Sequence, residues 1–152
     1  MVKRFSISIL ISGNLKKKIT KITKKINHMN RDKHVSIPHI NILSGLYTDE
    51  SKLLKIFNKI RFKKNKIIKS IGIGVFAGKK NIIYARFELN NFIIKFRKYV
   101  FKTLKLKNNQ VDLTAQDLLW TPKCTLAMLK GNNRKFLTIL NYTKNNLSKH
   151  NF

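Results

Sequence analysis

The sequence predicts one α+β domain built as two lobes, and three observations carry that prediction. Its 152 residues, 43% of them hydrophobic, suit a single domain with a proper core. Short alternating segments that read as strands interleave with apolar stripes at spacings of three and four that read as helices. A five-residue design is written twice, as Pro38-His39-Ile40-Asn41-Ile42 and, 84 positions later, as Pro122-Lys123-Cys124-Thr125-Leu126. In an extended strand residues i and i+2 point the same way, so His39 pairs with Asn41 and Lys123 with Thr125. Facing each other across a groove between the lobes, the two pairs would hold one phosphate.

Phe5, Ile7, Ile9 and Ile11 alternate with Ser6, Ser8, Leu10 and Ser12, which predicts a half-buried first strand over Phe5 to Ser12. Behind Lys3-Arg4 this segment imitates a signal peptide, but its apolar stretch is short and broken by Ser6 and Ser8. Gly13-Asn14 makes a turn and a cap. Leu15, Ile19, Ile22, Ile26 and Met29 then form one stripe of a helix, with Lys16, Lys17, Lys18, Lys21, Lys24 and Lys25 on the remainder. A solvated face explains those lysines at least as well as a nucleic-acid contact. His28 suits the carbonyl end of that helix. Asn30 to His34 is a polar loop, and Val35 to Leu43 is the strand of the first motif, ended by Ser44-Gly45-Leu46-Tyr47.

Asp49-Glu50-Ser51 places negative charge at the start of a second helix, with Leu53, Ile56, Phe57 and Ile60 inward. Lys63, Lys64 and Lys66 make a basic loop, a better polyanion contact than the helical lysines because it has fewer structural duties. Ile67 to Phe76 and Asn81 to Leu89 read as a hairpin turned by Ala77-Gly78-Lys79-Lys80. Gly72 and Gly74 lie inside a strand pattern with no helix start behind them, so they mark a bulge or close packing and not a phosphate loop. Asn90-Asn91 opens a third helix with Phe92, Ile93, Phe96, Val100 and Leu104 inward and Lys95, Arg97 and Lys98 outward. Lys107 to Gln110 is a loop, and Val111 to Leu119 is a short strand or helix. Trp120-Thr121-Pro122 leads into the second motif, an interior strand by virtue of Cys124, Leu126 and Met128. Gly131-Asn132-Asn133 breaks the chain, and Phe136 to Tyr142 is strand or helix. The domain is expected to span residues 1–143, its lobes inseparable, with 144–152 as a basic tail.

Charge narrows the partner. Lys plus Arg number 33 against 6 Asp plus Glu, a formal net charge of +27, which attracts polyanions such as RNA. The excess is mostly lysine, which lacks the planar fork of arginine and favours the phosphate backbone over base reading. One cysteine, Cys124, allows no intrachain disulfide, and strand alternation turns it into the core as an inert small hydrophobe. An intracellular location, cytoplasmic or nuclear, follows as an expectation. No run approaches the roughly 18 apolar residues of a membrane span. His28, His34 and His39 fit no common zinc spacing, so no metal and no cofactor is expected.

On the two tetrads, the chain resembles the 2H phosphoesterase superfamily, whose signature is His-apolar-Thr/Ser-apolar written twice. The likeness covers most of the chain. It implies a bilobal α+β fold, two pseudo-symmetric antiparallel-sheet lobes with outer helices around a central groove. Its chemistry uses one histidine as general base and the other as general acid, and both hydroxyls bind the phosphate. Here His39 and Thr125 match, whereas Asn41 stands for the first hydroxyl and Lys123 for the second histidine. Such families finish their second half with a helix and a further strand, so this shorter ending is trimmed or rearranged.

A positioned acid or base contributes roughly 10² to 10⁴ in rate. Lysine keeps a charge that binds phosphate, yet with an unperturbed value of about 10.4 it is a poor proton donor near neutrality unless desolvation or neighbouring cations lower that value. An asparagine amide can still donate to a phosphate oxygen. The expected function is therefore a degenerate 2H phosphoesterase-like protein, a monomer, binding RNA ends or cyclic or 2'-5'-linked oligonucleotides with weak or no hydrolysis. His39 and Lys123 are the catalytic candidates, Asn41 and Thr125 the phosphate ligands, and Tyr47 and Trp120 the residues placed to stack on a base. Two alternatives stand beside it. One is an active metal-independent phosphodiesterase with Lys123 as the acid, and the other a basic nucleic-acid-binding protein that uses surface lysines alone.

Overall fold

The computed structural model of the protein describes residues 2–30, 37–58, 67–104, 120–131 and 133–147. Its elements run β1 (Val2–Leu10), α1 (Gly13–Asn30), β2 (His39–Asp49), α2 (Glu50–Phe57), β3 (Ser70–Phe76), β4 (Asn81–Phe87), α3 (Asn91–Leu104), β5 (Lys123–Leu129) and α4 (Asn133–Leu147). The α+β class and the element order match the expectation, with one further helix at the end. β1 pairs with β2, and β3, β4 and β5 form a second sheet with β4 in the middle. The chain divides into two compact units. Unit 1 comprises Met1–Ser8, Asn41–Ile68 and Leu89–Pro122, and unit 2 comprises Ile9–Ile40, Lys69–Glu88 and Lys123–Phe152. The loop expected over Asn30 to His34, apart from Asn30, the basic loop of Lys63, Lys64 and Lys66, the loop Lys107 to Gln110 and the segment Val111 to Leu119 lie outside the described residues, as do Ile60 and the first two residues, Val35 and Ser36, of the expected first-motif strand.

Unit 1 gathers most of β2 with α2 and α3. Ile7, Ile42, Leu43, Leu46, Leu53, Ile93, Phe96 and Val100 are its buried hydrophobic side chains among the described residues. β2 does not stop at Ser44 as expected. Gly45 takes a φ of 69°, a left-handed conformation that glycine adopts without penalty, and the strand runs on through it to Asp49. α2 follows at once because Asp49 caps it, its Oδ1 accepting the Ser51 hydroxyl at 2.6 Å and the Ser51 amide at 2.9 Å. Those bonds hold the Asp49 carboxyl down at about 2, against its ordinary 3.8. A lowered carboxyl favours the fold above the ordinary value and loses that contribution as pH falls toward the lowered one. A carboxylate titration followed by NMR should place the Asp49 midpoint near 2, and a midpoint at 3.8 rules the cap out. Phe57, expected inward, is 40% exposed because α2 ends with it. α3 starts on Asn90, whose Oδ1 accepts the Ile93 amide at 3.0 Å.

Unit 2 is a three-stranded antiparallel sheet with α1 packed on β5 and α4 packed on β3, β4 and α1. Leu15, Ile19, Ile22 and Ile26 form the buried stripe of α1 as expected, while Met29 is half-buried. Phe136 to Tyr142 belongs to a helix, and that helix does not fray at Lys144. It continues to Leu147, which is 1% exposed and fixes the last turn against the unit's interior. None of the described helices is long and apolar enough to cross a membrane.

Candidate functional site

The register of the unit 2 sheet decides which side chains share a face. Val75, Ile83 and Ala127 are partners in one row, and Ile73, Ala85 and Cys124 in another. Ile83, Ala85, Cys124 and Ala127 are buried, which assigns these rows to the face covered by helices. The rows between them look the other way. One is Gly74, Tyr84 and Thr125, and the next is Gly72, Arg86 and Lys123. Lys123 and Thr125, predicted to share a face, therefore do share it.

That face depends on a bulge. Ile83 pairs with Ala127 but Tyr84 pairs with Thr125, so Leu126 is an extra residue in β5 and the alternation reverses across it. Cys124 and Leu126 point inward before the bulge, and Ala127 and Leu129 after it. Met128, expected in the interior by simple alternation, is 57% exposed for this reason.

On the outer face the Lys123 ammonium lies over aromatic rings, 4.4 Å from the Phe76 centroid and 5.9 Å from that of Tyr84. Those rings stack at 4.6 Å. The Tyr84 ring lies across Gly74, where an added Cβ would collide with it, so the glycine serves close packing as its strand context predicts. Attraction between a cation and a ring face is worth roughly 0.5 to 2 kcal/mol, rising with desolvation. The charge of Lys123 is thus held at a fixed place on a half-buried strand. Beside it, Arg86 is its direct cross-strand partner. Two cations directly opposite each other repel, a cost that an anion bound between them offsets.

His39 begins β2 and belongs to the same unit as Lys123 and Thr125. Its Nδ1 is 2.7 Å from the Ile37 carbonyl oxygen. A carbonyl only accepts, so Nδ1 carries the proton in the neutral ring and Nε2 keeps its lone pair, the tautomer a general base requires. The His39 backbone also hydrogen-bonds the Cys124 thiol, which brings the start of the first motif against the second. Cys124 is 2% exposed, and burial pushes its thiol up to about 11 while that bond pulls the other way. Two units above its ordinary value leave roughly a hundredfold less thiolate near neutrality. Folded protein should accordingly resist a thiol reagent at pH 8, and guanidinium should release the reaction. Rapid labelling without denaturant contradicts the buried placement.

The remaining candidates lie in unit 1. Asn41 Oδ1 accepts the Ser8 hydroxyl at 2.6 Å, which orients the amide and leaves Nδ2 as its donor. The Trp120 indole N–H donates to the Asn41 carbonyl at 3.0 Å, so Trp120 holds the strand of the first motif in place. Its ring also lies 4.8 Å from the Arg97 guanidinium. Arg97, expected outward, is half-buried, stacked on Phe101 at 4.7 Å and donating to the Ile42 carbonyl at 3.3 Å. Its planar fork does on a helix flank what a lysine cannot. Tyr47 is 47% exposed on β2.

Arg86, Phe76 and Tyr84 are the members of the Lys123 neighbourhood that sequence reading missed. Only strand pairing reveals them, since Arg86 precedes Lys123 by 37 positions. Among the described residues no cluster of His, Cys, Asp or Glu is placed to hold a metal ion.

No family model matches the chain, and no curated protein matches it. Among solved structures, Kluyveromyces marxianus Usb1 with uridine monophosphate is similar over 97% of this chain and 83% of its own, at a TM-score of 0.43 and 8% identity.

Proposed function

We propose that this chain is a degenerate 2H phosphoesterase-like protein that binds a phosphodiester, an RNA end or a cyclic or 2'-5'-linked oligonucleotide, with weak or no hydrolysis. The observation that carries the reading is the ring-held ammonium of Lys123 beside Arg86 on the face of the sheet turned away from the helices. A cation fixed in this way attracts phosphate as a point charge without having to move a proton. Thr125, two residues along the same strand, supplies a hydroxyl donor, and Asn41, two residues after His39, supplies an amide. His39, with Nε2 as its open nitrogen, is the base if turnover occurs, and Lys123 is the electrostatic clamp. No step in this reading calls for a metal.

Competition separates pocket binding from attraction to a basic surface. A labelled RNA should be displaced by a 2',3'-cyclic mononucleotide, and Lys123→Ala should weaken the mononucleotide by about tenfold or more, the loss of one charged hydrogen bond. If the mononucleotide fails to compete at any concentration, the pocket reading is wrong and the surface lysines do the binding.

A further inference from the structure

We propose that the outer face of α1, with the groove it forms against α4, is a second binding surface, a track for the backbone of single-stranded RNA on the side of the sheet opposite Lys123. The inference does not depend on the phosphodiester reading. It begins from the charge of two helices that touch. α1 carries six lysines and α4 adds Arg134, Lys135 and Lys144, yet neither helix contains an Asp or Glu. Lysines four apart on a helix, such as Lys17 with Lys21 and Lys21 with Lys25, repel one another. A bound polyanion converts that repulsion into attraction and gains further by releasing its counterions.

Shape favours a strand lying along the helix. Lys17, Lys21 and Lys24 follow the i, i+4, i+7 ridge, with steps of roughly 6 and 4.5 Å along the axis. Two hollows flank that ridge and share Lys17 and Lys21. One, of about 410 Å³, lies between the helices and is lined by Asn14, Ile22, Tyr142 and Asn146 as well as lysines. The other, of about 630 Å³, adds Thr20 and Lys24. The pairing of a half-buried tyrosine with a row of lysines is what unspecific single-strand binding uses, bases stacking on the ring while the backbone follows the charge.

A membrane surface is the other polyanion a basic helix meets, but an interfacial helix lowers an apolar face into the lipid. The apolar face of α1 is already spent on the core of unit 2, and its exposed residues are lysines and other polar groups.

The test compares the full-length protein with K17Q/K21Q/K24Q and with K69Q/K79Q/K80Q, which removes the same charge from exposed positions on the hairpin and its approach. All six side chains are exposed, so both variants should keep the wild-type circular dichroism and Tm. Anisotropy with oligouridylates of about 4 and about 20 nucleotides, titrated from roughly 50 to 200 mM salt, reads the affinity and its salt slope. The longer RNA should bind wild type more tightly. K17Q/K21Q/K24Q should remove most of that advantage, at least tenfold, and flatten the log–log salt slope by roughly 2, as expected for three lost phosphate contacts. Tyr142→Leu should weaken the longer RNA with no change of slope.

Equal losses in the two triple variants overturn the proposal. So does a K17Q/K21Q/K24Q variant that loses only its binding to phosphatidylserine vesicles, which would make this face a lipid contact. Displacement of the 4-nucleotide RNA by the cyclic mononucleotide should be the same in wild type and K17Q/K21Q/K24Q. Its failure in both would remove the phosphodiester pocket and leave the track standing.

Discussion

Replacing Lys123 by histidine should raise hydrolysis of a 2',3'-cyclic phosphate by roughly 10²- to 10⁴-fold, the range a positioned acid supplies. An unperturbed imidazole titrates at about 6.5 and can hand over a proton at neutral pH, whereas an unperturbed lysine ammonium holds its proton up to about 10. The substitution also lifts the cation off the Phe76 and Tyr84 rings, so substrate affinity should drop while turnover rises, a split visible as KM against kcat. Adding His39→Ala should erase the gain, because the proposed base, whose Nδ1 is engaged by the Ile37 carbonyl, is then missing. A Lys123→His protein no faster than wild type, with binding intact, would mean that the first motif does not aim its imidazole at the phosphate. Wild-type turnover indifferent to His39→Ala would remove the catalytic assignment altogether.

Gly74→Ala should destabilise the protein and weaken the proposed phosphate site together. The added methyl meets the Tyr84 ring, which is stacked on Phe76 and cannot retreat without leaving it. Overpacking of this kind costs roughly 1 to 3 kcal/mol. At about 2 to 4 °C per kcal/mol for a chain of this size, thermal unfolding should shift by several degrees. Displacing the ring withdraws part of the surface under Lys123, so affinity for the cyclic mononucleotide should fall as well. In a Tyr84→Ala background the same glycine substitution should cost almost nothing, a coupling that a double-mutant cycle measures. If the two substitutions add instead, the ring does not lie over the glycine.

The parts of this fold that were legible in the sequence are those governed by local chemistry. The stripe from Leu15 to Ile26, the helix starts at Asp49 and Asn90 and the hairpin around Gly78 each need only a few neighbouring residues to specify them. The pairing of Lys123 with Thr125 was readable because strand alternation is local too. What escaped was set by pairing between distant segments. Arg86 reaches Lys123 only through register, and Met128 was misplaced because nothing in Leu126-Ala127 announces a bulge. Arg97 looked like one more solvated cation beside Lys95 and Lys98. Its partners, Phe101, Trp120 and the Ile42 carbonyl, come from three separate elements. The last helix was open between strand and helix, since Phe136 to Tyr142 is nearly continuous in apolar residues and Leu147 reveals the helical period only once the run is extended.

The extra residue in β5 makes this strand tolerant of a kind of genetic change that residue-by-residue scanning never samples. Loss of the single codon for Leu126 would restore unbroken alternation and leave every other side chain as it is. With Ala127 and Leu129 still anchored in the interior, the amine at 123 and the hydroxyl at 125 would keep the face they have now, and the thiol at 124 would stay beneath the helices. A three-base deletion at this codon would thus regularise the pairing without moving the cation, whereas the same loss in a strand that alternates without a break turns half of it over.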